Sequence, residues 1–169
     1  SIAGLHTIDG WRIRVGETVF TSPKEGLFLP PEKRDIGMVF QSYAIWPHMT
    51  VAQNVAYPLE IRDWNQSDID DRVAEVLKLV GLTDWADSLA TNLSGGQQQR
   101  ASLARAIVSN PSLLLFDEPL SNLDLKLREH MRVELKRIQN EVGITSIYVT
   151  HDQSEALVMS DEIIVMSKG

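Results

Sequence analysis

Gln41, the acid pair Asp117 and Glu118, and His151 each stand just after an apolar run: "IGMVF", "LLLF" and "SIYVT" respectively. A carboxylate past a buried strand is placed to hold magnesium, a hard cation that prefers oxygen ligands and keeps part of its water shell. The second acid of the pair can orient a water or take its proton. His151 has the reach to contact a terminal phosphate, and Gln41 to contact metal and water together. "LSGGQQQR", Leu93 to Arg100, sets Ser94 and two glycines at a helix start. Gly95 and Gly96 there expose backbone N–H groups to an anion, which the helix dipole also favours. Taken singly, each feature also fits a plainer role: Gln41 as a loop polar group, His151 as a strand-end imidazole, the acids and the "SGG" as helix caps.

Such residues need a scaffold that gathers strand ends, and the patterning predicts one. "WRIRVGETVF", Trp11 to Phe20, alternates apolar and polar residues as half-buried antiparallel strands do, and "SPKEGLFLPPEKR" then reads as a Pro/Gly-rich loop. "IGMVFQ" predicts a strand ending at Gln41. Ile69, Val73, Val76, Leu77 and Val80 share one helical face, with Ser67 and Asp70 resembling a capping box and Gly81 ending the helix. Ser94 is a good N-cap for a helix carrying Leu103 and Ile107, and Pro111 precedes the strand Leu113 to Phe116. Leu127, Met131, Leu135 and Ile138 form the next helical stripe, followed by the strand "SIYVT", a short helix from about Asp152, and a strand "EIIVM". Strands alternating with helices imply a parallel sheet, and ligands gather at the carboxyl ends of its strands.

Composition sets the outer bounds. A chain of 169 residues, 43% hydrophobic and 23% charged, suits one domain with a sizeable core. A net charge of -7 argues against nucleic acid as the main partner, and the absence of cysteine excludes disulfides, zinc-thiolate sites and thiol catalysis. No apolar run reaches membrane-spanning length, so any membrane role is peripheral. "SIAGL" at the start reads as the last turn of a helix with Gly4 near its C-terminal cap, and both chain ends read as cut from something longer.

In this order, Gln41 after a strand, "LSGGQ" opening a helix, "LLLFDEP", "SNLD" and His151 after the next strand, the chain resembles an ATP-binding cassette (ABC) ATPase along nearly its whole length. The resemblance implies ATP hydrolysis with Mg2+. It implies that Gln41 is the Q-loop glutamine at the metal, that Ser94, Gly95, Gly96 and Gln97 are the nucleotide-binding signature motif, and that Asp117 is the Walker B magnesium acid. Glu118 would be the catalytic base, Ser121 to Asp124 the D-loop with Asp124 on the nucleotide side, and His151 the switch histidine. The implied fold is α/β, a P-loop NTPase-type parallel sheet with flanking helices, a small antiparallel portion and an inserted helical subdomain, incomplete in this chain. Residues 1–41 and 111–169 would belong to the catalytic core, and 42–110 to the helical subdomain.

The family's phosphate cradle, G-x-x-x-x-G-K-[ST], does not occur in the sequence: Gly4 and Gly10 have the wrong spacing and no Gly-Lys dipeptide exists. The expectation is a fragment truncated before or within the P-loop helix and inactive by itself. "IGMVFQSYAIWPHMTVAQNVAYPLEIR", Ile36 to Arg62, resembles the ATPase subunits of bacterial solute importers, especially the sugar, polyamine and ferric iron branch. That likeness implies transmembrane permease subunits seated on Tyr43, Trp46, Pro47, His48 and Met49, a second ABC ATPase subunit, no nucleic acid, and a peripheral location on the cytoplasmic face of the inner membrane. The same residues also suit packing within the helical subdomain. Two rivals stand beside it: a non-catalytic module that binds a permease or partner ATPase, and a DNA-repair-type ABC ATPase. The second lacks support from any sustained heptad pattern between Gln41 and Ser94.

Overall fold

The computed structural model describes residues 1–167. Two small sheets organise it. The first is antiparallel, ordered β1 (Ile13–Val15), β2 (Thr18–Ser22), β3 (Leu27–Phe28). Gly16, at φ 53, makes the turn between β1 and β2, and the alternation puts Phe20 in the interior. β3 lies inside the stretch that the sequence predicts to be loop. Two residues flanked by Gly26 and proline carry no readable period.

The second sheet is parallel, ordered β4 (Ile36–Val39), β5 (Leu113–Asp117), β6 (Ser146–Val149), as the strand-helix alternation predicts. β5 is central and buried from Leu113 to Phe116, which is why its run is continuously apolar. Helices α1 (Val51–Glu60), α2 (Gln66–Leu79) and α3 (Gly95–Ile107) lie between β4 and β5 in the chain. α3 packs on β4 so closely that a Cβ on Gly37 would lie 2.1 Å from the Ala106 oxygen, so only glycine fits there. α4 (Leu125–Val142) crosses from β5 to β6 and buries Met131, Leu135 and Ile138, the predicted stripe. α5 (Gln153–Met159) follows with Asp152 as its N-cap.

Arg34, in the chain between the two sheets, is anchored on the first. Its buried guanidinium donates to the carbonyls of Ser1, Ile2, Leu29 and Phe20 and to Thr21 Oγ1, and lies against the rings of Phe20 and Phe28. Burial pushes its pKa down; the dense set of oxygen acceptors compensates the desolvation.

Three local expectations are corrected. α2 is capped by Asn65, whose side chain accepts from the Asp68 amide, and not by Ser67, which sits in the first turn. Asn caps as well as Ser, and the helix therefore starts earlier; Gly81 still ends it, at φ 66. Residues 1–5 form a turn, with the Gly4 amide donating to Ser1 O, and no assigned helix. The "EIIVM" run forms no strand: Ile164, Val165 and Met166 are 86%, 88% and 79% exposed. A strand exists only through a ladder partner, and among the described residues β6 pairs with β5 alone.

Candidate active site at the strand ends

Parallel register gathers the predicted residues. Val39 faces Phe116, Phe116 faces Tyr148, and Asp117 faces Val149. Gln41, Asp117, Glu118 and His151 therefore emerge at the same carboxyl edge of the sheet. The geometry there is specific. Glu118 adopts φ 45, a left-handed conformation that non-glycine residues enter at a cost of about 1–3 kcal/mol. Its amide continues the ladder to Val149 O, while its own carbonyl accepts from the amide and hydroxyl of Ser121. The turn leaves its carboxylate Oε2 3.1 Å from His151 Nδ1. An ionised carboxylate only accepts, so Nδ1 carries the proton and donates, and Nε2 remains free for another partner.

Asp117 and Gln41 are exposed, and their side-chain oxygens are unengaged among the described residues. No group of three or more His, Asp or Glu side chains is arranged there to enclose a metal by itself. One free carboxylate with a nearby amide oxygen is the donor set that fits magnesium, which takes one or two protein oxygens and completes its octahedron with water and substrate phosphate.

The loop after β5 is fastened from three sides. Leu120 and Leu123 are buried in the core. Asn122 Nδ2 donates to the Gln41 carbonyl at 2.8 Å, and Arg128 donates to the carbonyls of Ser121 and Leu123 while lying 3.9 Å from Asp152. Asp124 N-caps α4 through a bond from the Leu127 amide, so one of its carboxylate oxygens is committed to the helix. Beneath His151, Glu155 is buried and accepts from Tyr148 and Thr150. Burial, and after it the neighbouring Glu155 carboxylate, push the Tyr148 phenol well above its usual range. The amides of Glu155 and Ser154 hold Asp152 below the usual carboxylate range.

At the start of α3, Ser94 and Gln97 form a reciprocal capping box: the Gln97 amide donates to Ser94 Oγ and the Ser94 amide to Gln97 Oε1. The first-turn amides of Gly95 and Gly96 have no intrahelical acceptor. The two glycines differ in what they permit. A Cβ on Gly96 would press on Leu127 and Met131 at 3.2 and 3.3 Å, whereas one on Gly95 would meet only ordinary contacts, the nearest being Leu123 at 3.5 Å. Packing on α4 accounts for Gly96; Gly95 keeps an open approach to its amide.

Arg128 and Glu155 escaped the sequence reading, as did the bond from Asn122 of the "SNLD" stretch to Gln41, because each acts on a main-chain carbonyl or a buried neighbour, and such pairings leave no local pattern. A cleft of about 620 Å³ between α2, the end of α3 and α4 contains none of the strand-end residues; Arg72 and Arg137 in it are engaged by Glu75 and Glu141. At the strand ends Gln41, Asp117 and His151 are exposed, and none of them lines that cleft.

The ABC transporter family model matches residues 3–121, a span that includes Gln41, Ser94–Gln97 and the Asp117–Glu118 pair. The chain belongs to the ABC transporter family. Within it, the trehalose/maltose import ATP-binding protein MalK of Thermococcus litoralis is 53% identical over 168 residues, 99% of this chain and 45% of the relative. The spermidine/putrescine import ATP-binding protein PotA of Thermobifida fusca is 57% identical over 165 residues, 98% of this chain and 43% of the relative. The sn-glycerol-3-phosphate import ATP-binding protein UgpC of Burkholderia lata is 49% identical over 168 residues, 99% and 45%. The chain thus spans less than half the length of these relatives. They are ABC ATP-binding subunits of sugar, polyamine and glycerophosphate importers, the class that the segment Ile36 to Arg62 resembles. No helix among the described residues is long and apolar enough to cross a membrane.

Proposed function

We propose that this chain is the ATP-hydrolysing portion of an ABC importer subunit, with residues 1–41 and 111–169 contributing to the catalytic core and 42–110 forming its helical subdomain. The contact of 3.1 Å between Glu118 and His151 at the carboxyl edge of the sheet carries the reading. Asp117 and Gln41 would hold Mg2+, which would supply charge neutralisation at the phosphates. Glu118 takes a proton from the attacking water. His151, oriented by Glu118 through Nδ1, donates from Nε2 to the γ-phosphate when its ring carries both protons. Ser94 to Gln97 serve the site of a second subunit: the free amides of Gly95 and Gly96 donate to the γ-phosphate held by that partner, and Asp124 lines the same junction.

The phosphate cradle of the subunit's own site is a P-loop, which residues 1–169 do not contain. A permease is the natural partner for the surface after Gln41, where Pro47 and His48 are exposed beside half-buried Tyr43, Trp46 and Met49. That pairing puts the subunit peripherally on the cytoplasmic face of the membrane, with the imported solute recognised elsewhere.

The test is ATP turnover by the chain preceded by a P-loop segment. Glu118→Gln keeps the side chain's size and its acceptor towards His151 but loses the base, so turnover drops by roughly two to four orders of magnitude while ATP binding persists. Hydrolysis at the parental rate would remove Glu118 from the chemistry and the reading with it.

A further inference from the structure

The loop after Gln41 contains two consecutive non-glycine residues in the left-handed region, Tyr43 at φ 60 and Ala44 at φ 50. L-residues avoid this conformation because Cβ crowds the following carbonyl, and it persists only where the surroundings hold it. Here α3 holds it. Ser102 Oγ donates to Tyr43 O at 2.8 Å; Arg105 donates from Nη2 to the same oxygen at 3.1 Å and from Nη1 to Ala44 O at 2.7 Å. The Arg105 guanidinium also lies 4.6 Å from the centre of the Trp46 ring, and the backbone of Trp46 is bracketed by the Asn54 amide. Ser102 is fully buried and Arg105 is 9% exposed. No carboxylate pairs with Arg105 among the described residues, and burial lowers its pKa, so the carbonyls of the strained turn and one aromatic face are what compensate a desolvated cation.

The turn lies between two functional segments. Gln41 stands at its entrance. The Tyr43 hydroxyl at its far side reaches 3.9 Å from where a Cβ on Gly95 would be. We propose that Arg105 and Ser102 are positioning residues for Gln41: by clamping the Tyr43–Ala44 turn to α3, they hold the strand-end glutamine and the helix start at Ser94–Gln97 in one fixed geometry. The catalytic consequence rests on the ATPase reading above; the clamp itself does not.

Amide hydrogen exchange on the 169-residue chain tests the clamp, and turnover of the same chain preceded by a P-loop segment tests its consequence. Arg105→Lys keeps the charge but loses the two-pronged grip. The amides of Ser42 to Trp46 then exchange about tenfold faster, as for loss of one hydrogen bond from a charged donor, while β5 and α1 keep their protection. Ser102→Ala, a milder change that leaves the core intact, accelerates the same amides about threefold. Adding Ala44→Gly to Arg105→Lys restores much of the protection, because glycine adopts positive φ without strain, whereas a merely space-filling arginine gives no such rescue. In turnover, Arg105→Lys lowers kcat with KM for ATP unchanged, and Ala44→Gly recovers it. Wild-type loop exchange in both single variants, or no rescue by Ala44→Gly, overturns the clamp. Altered exchange with unaltered kcat overturns the positioning of Gln41. A parental protein that hydrolyses no ATP contradicts the proposed function and leaves the exchange result standing.

Discussion

Asn122 Nδ2 lies 2.8 Å from the main-chain oxygen of Gln41 and donates to it, joining the loop after β5 to the loop after β4. Neither loop carries a ladder bond at that point, so this side chain sets the spacing between the Gln41 and Asp117 strand ends. Asn122→Ala removes one neutral hydrogen bond and lowers stability by about 0.5–1.5 kcal/mol. Asn122→Asp is nearly isosteric but turns an acceptor towards a carbonyl, and it destabilises more than alanine does. Denaturant unfolding of the two variants checks the order; a milder aspartate would show that the contact does not hold the loops together.

The glycines of the signature stretch separate stability from function. Gly95→Ala meets only ordinary contacts and replaces a poor helix former, so stability holds or rises by up to about 1 kcal/mol. The added methyl stands at the open amide and weakens capture of a partner's nucleotide. Thermal melting together with nucleotide retention in mixed dimers reads both effects. Loss of stability with intact retention would assign Gly95 to packing, the role that Gly96 already has.

Asp152 gives the site an acid limit. Its carboxyl is held below its usual range by the amides at the start of α5, so its folded pKa is depressed relative to the unfolded chain. The sign follows from linkage: the stabilisation is complete above the unfolded value of about 3.9 and is lost as pH falls through the folded one. Circular dichroism and amide exchange of α5 between roughly pH 6 and pH 3, a range that brackets the unfolded value, show α5 loosening at the acid end. Asp152→Asn, a comparable cap without a charge, removes that pH dependence. An acid response unchanged in Asp152→Asn would assign it to other carboxylates.

Much of this architecture was legible because burial imposes patterns. β5 is apolar from Leu113 to Phe116 because both its faces are covered there, and the stripe Met131, Leu135, Ile138 announces α4. Ser94 and Gly81 mark helix ends by their own conformational preferences. What stayed hidden depends on partners distant in sequence. The "EIIVM" run has full strand propensity but pairs with no strand among the described residues. β3 exists through two pairs with β2. The residues that fix the site, Asn122 on Gln41 and Arg105 on Tyr43 and Ala44, act on carbonyls of segments far away in the chain, and a carbonyl has no sequence identity. Even the strain at Glu118 is invisible in "FDEPL", since glutamate rarely takes positive φ.

The central claim is that the strand-end acids serve one nucleotide while Ser94 to Gln97 serve another. The most direct measurement is the count of trapped ATP in purified heterodimers of this chain with a subunit that has its own P-loop. One ATP per heterodimer is the predicted result, held by the partner's P-loop and covered by the start of α3 from this chain. Ser94→Arg in this chain abolishes trapping by filling the phosphate approach, while Glu118→Gln in this chain leaves it intact, because that acid faces the other site. Two ATP per heterodimer, or trapping indifferent to Ser94→Arg, would contradict the account.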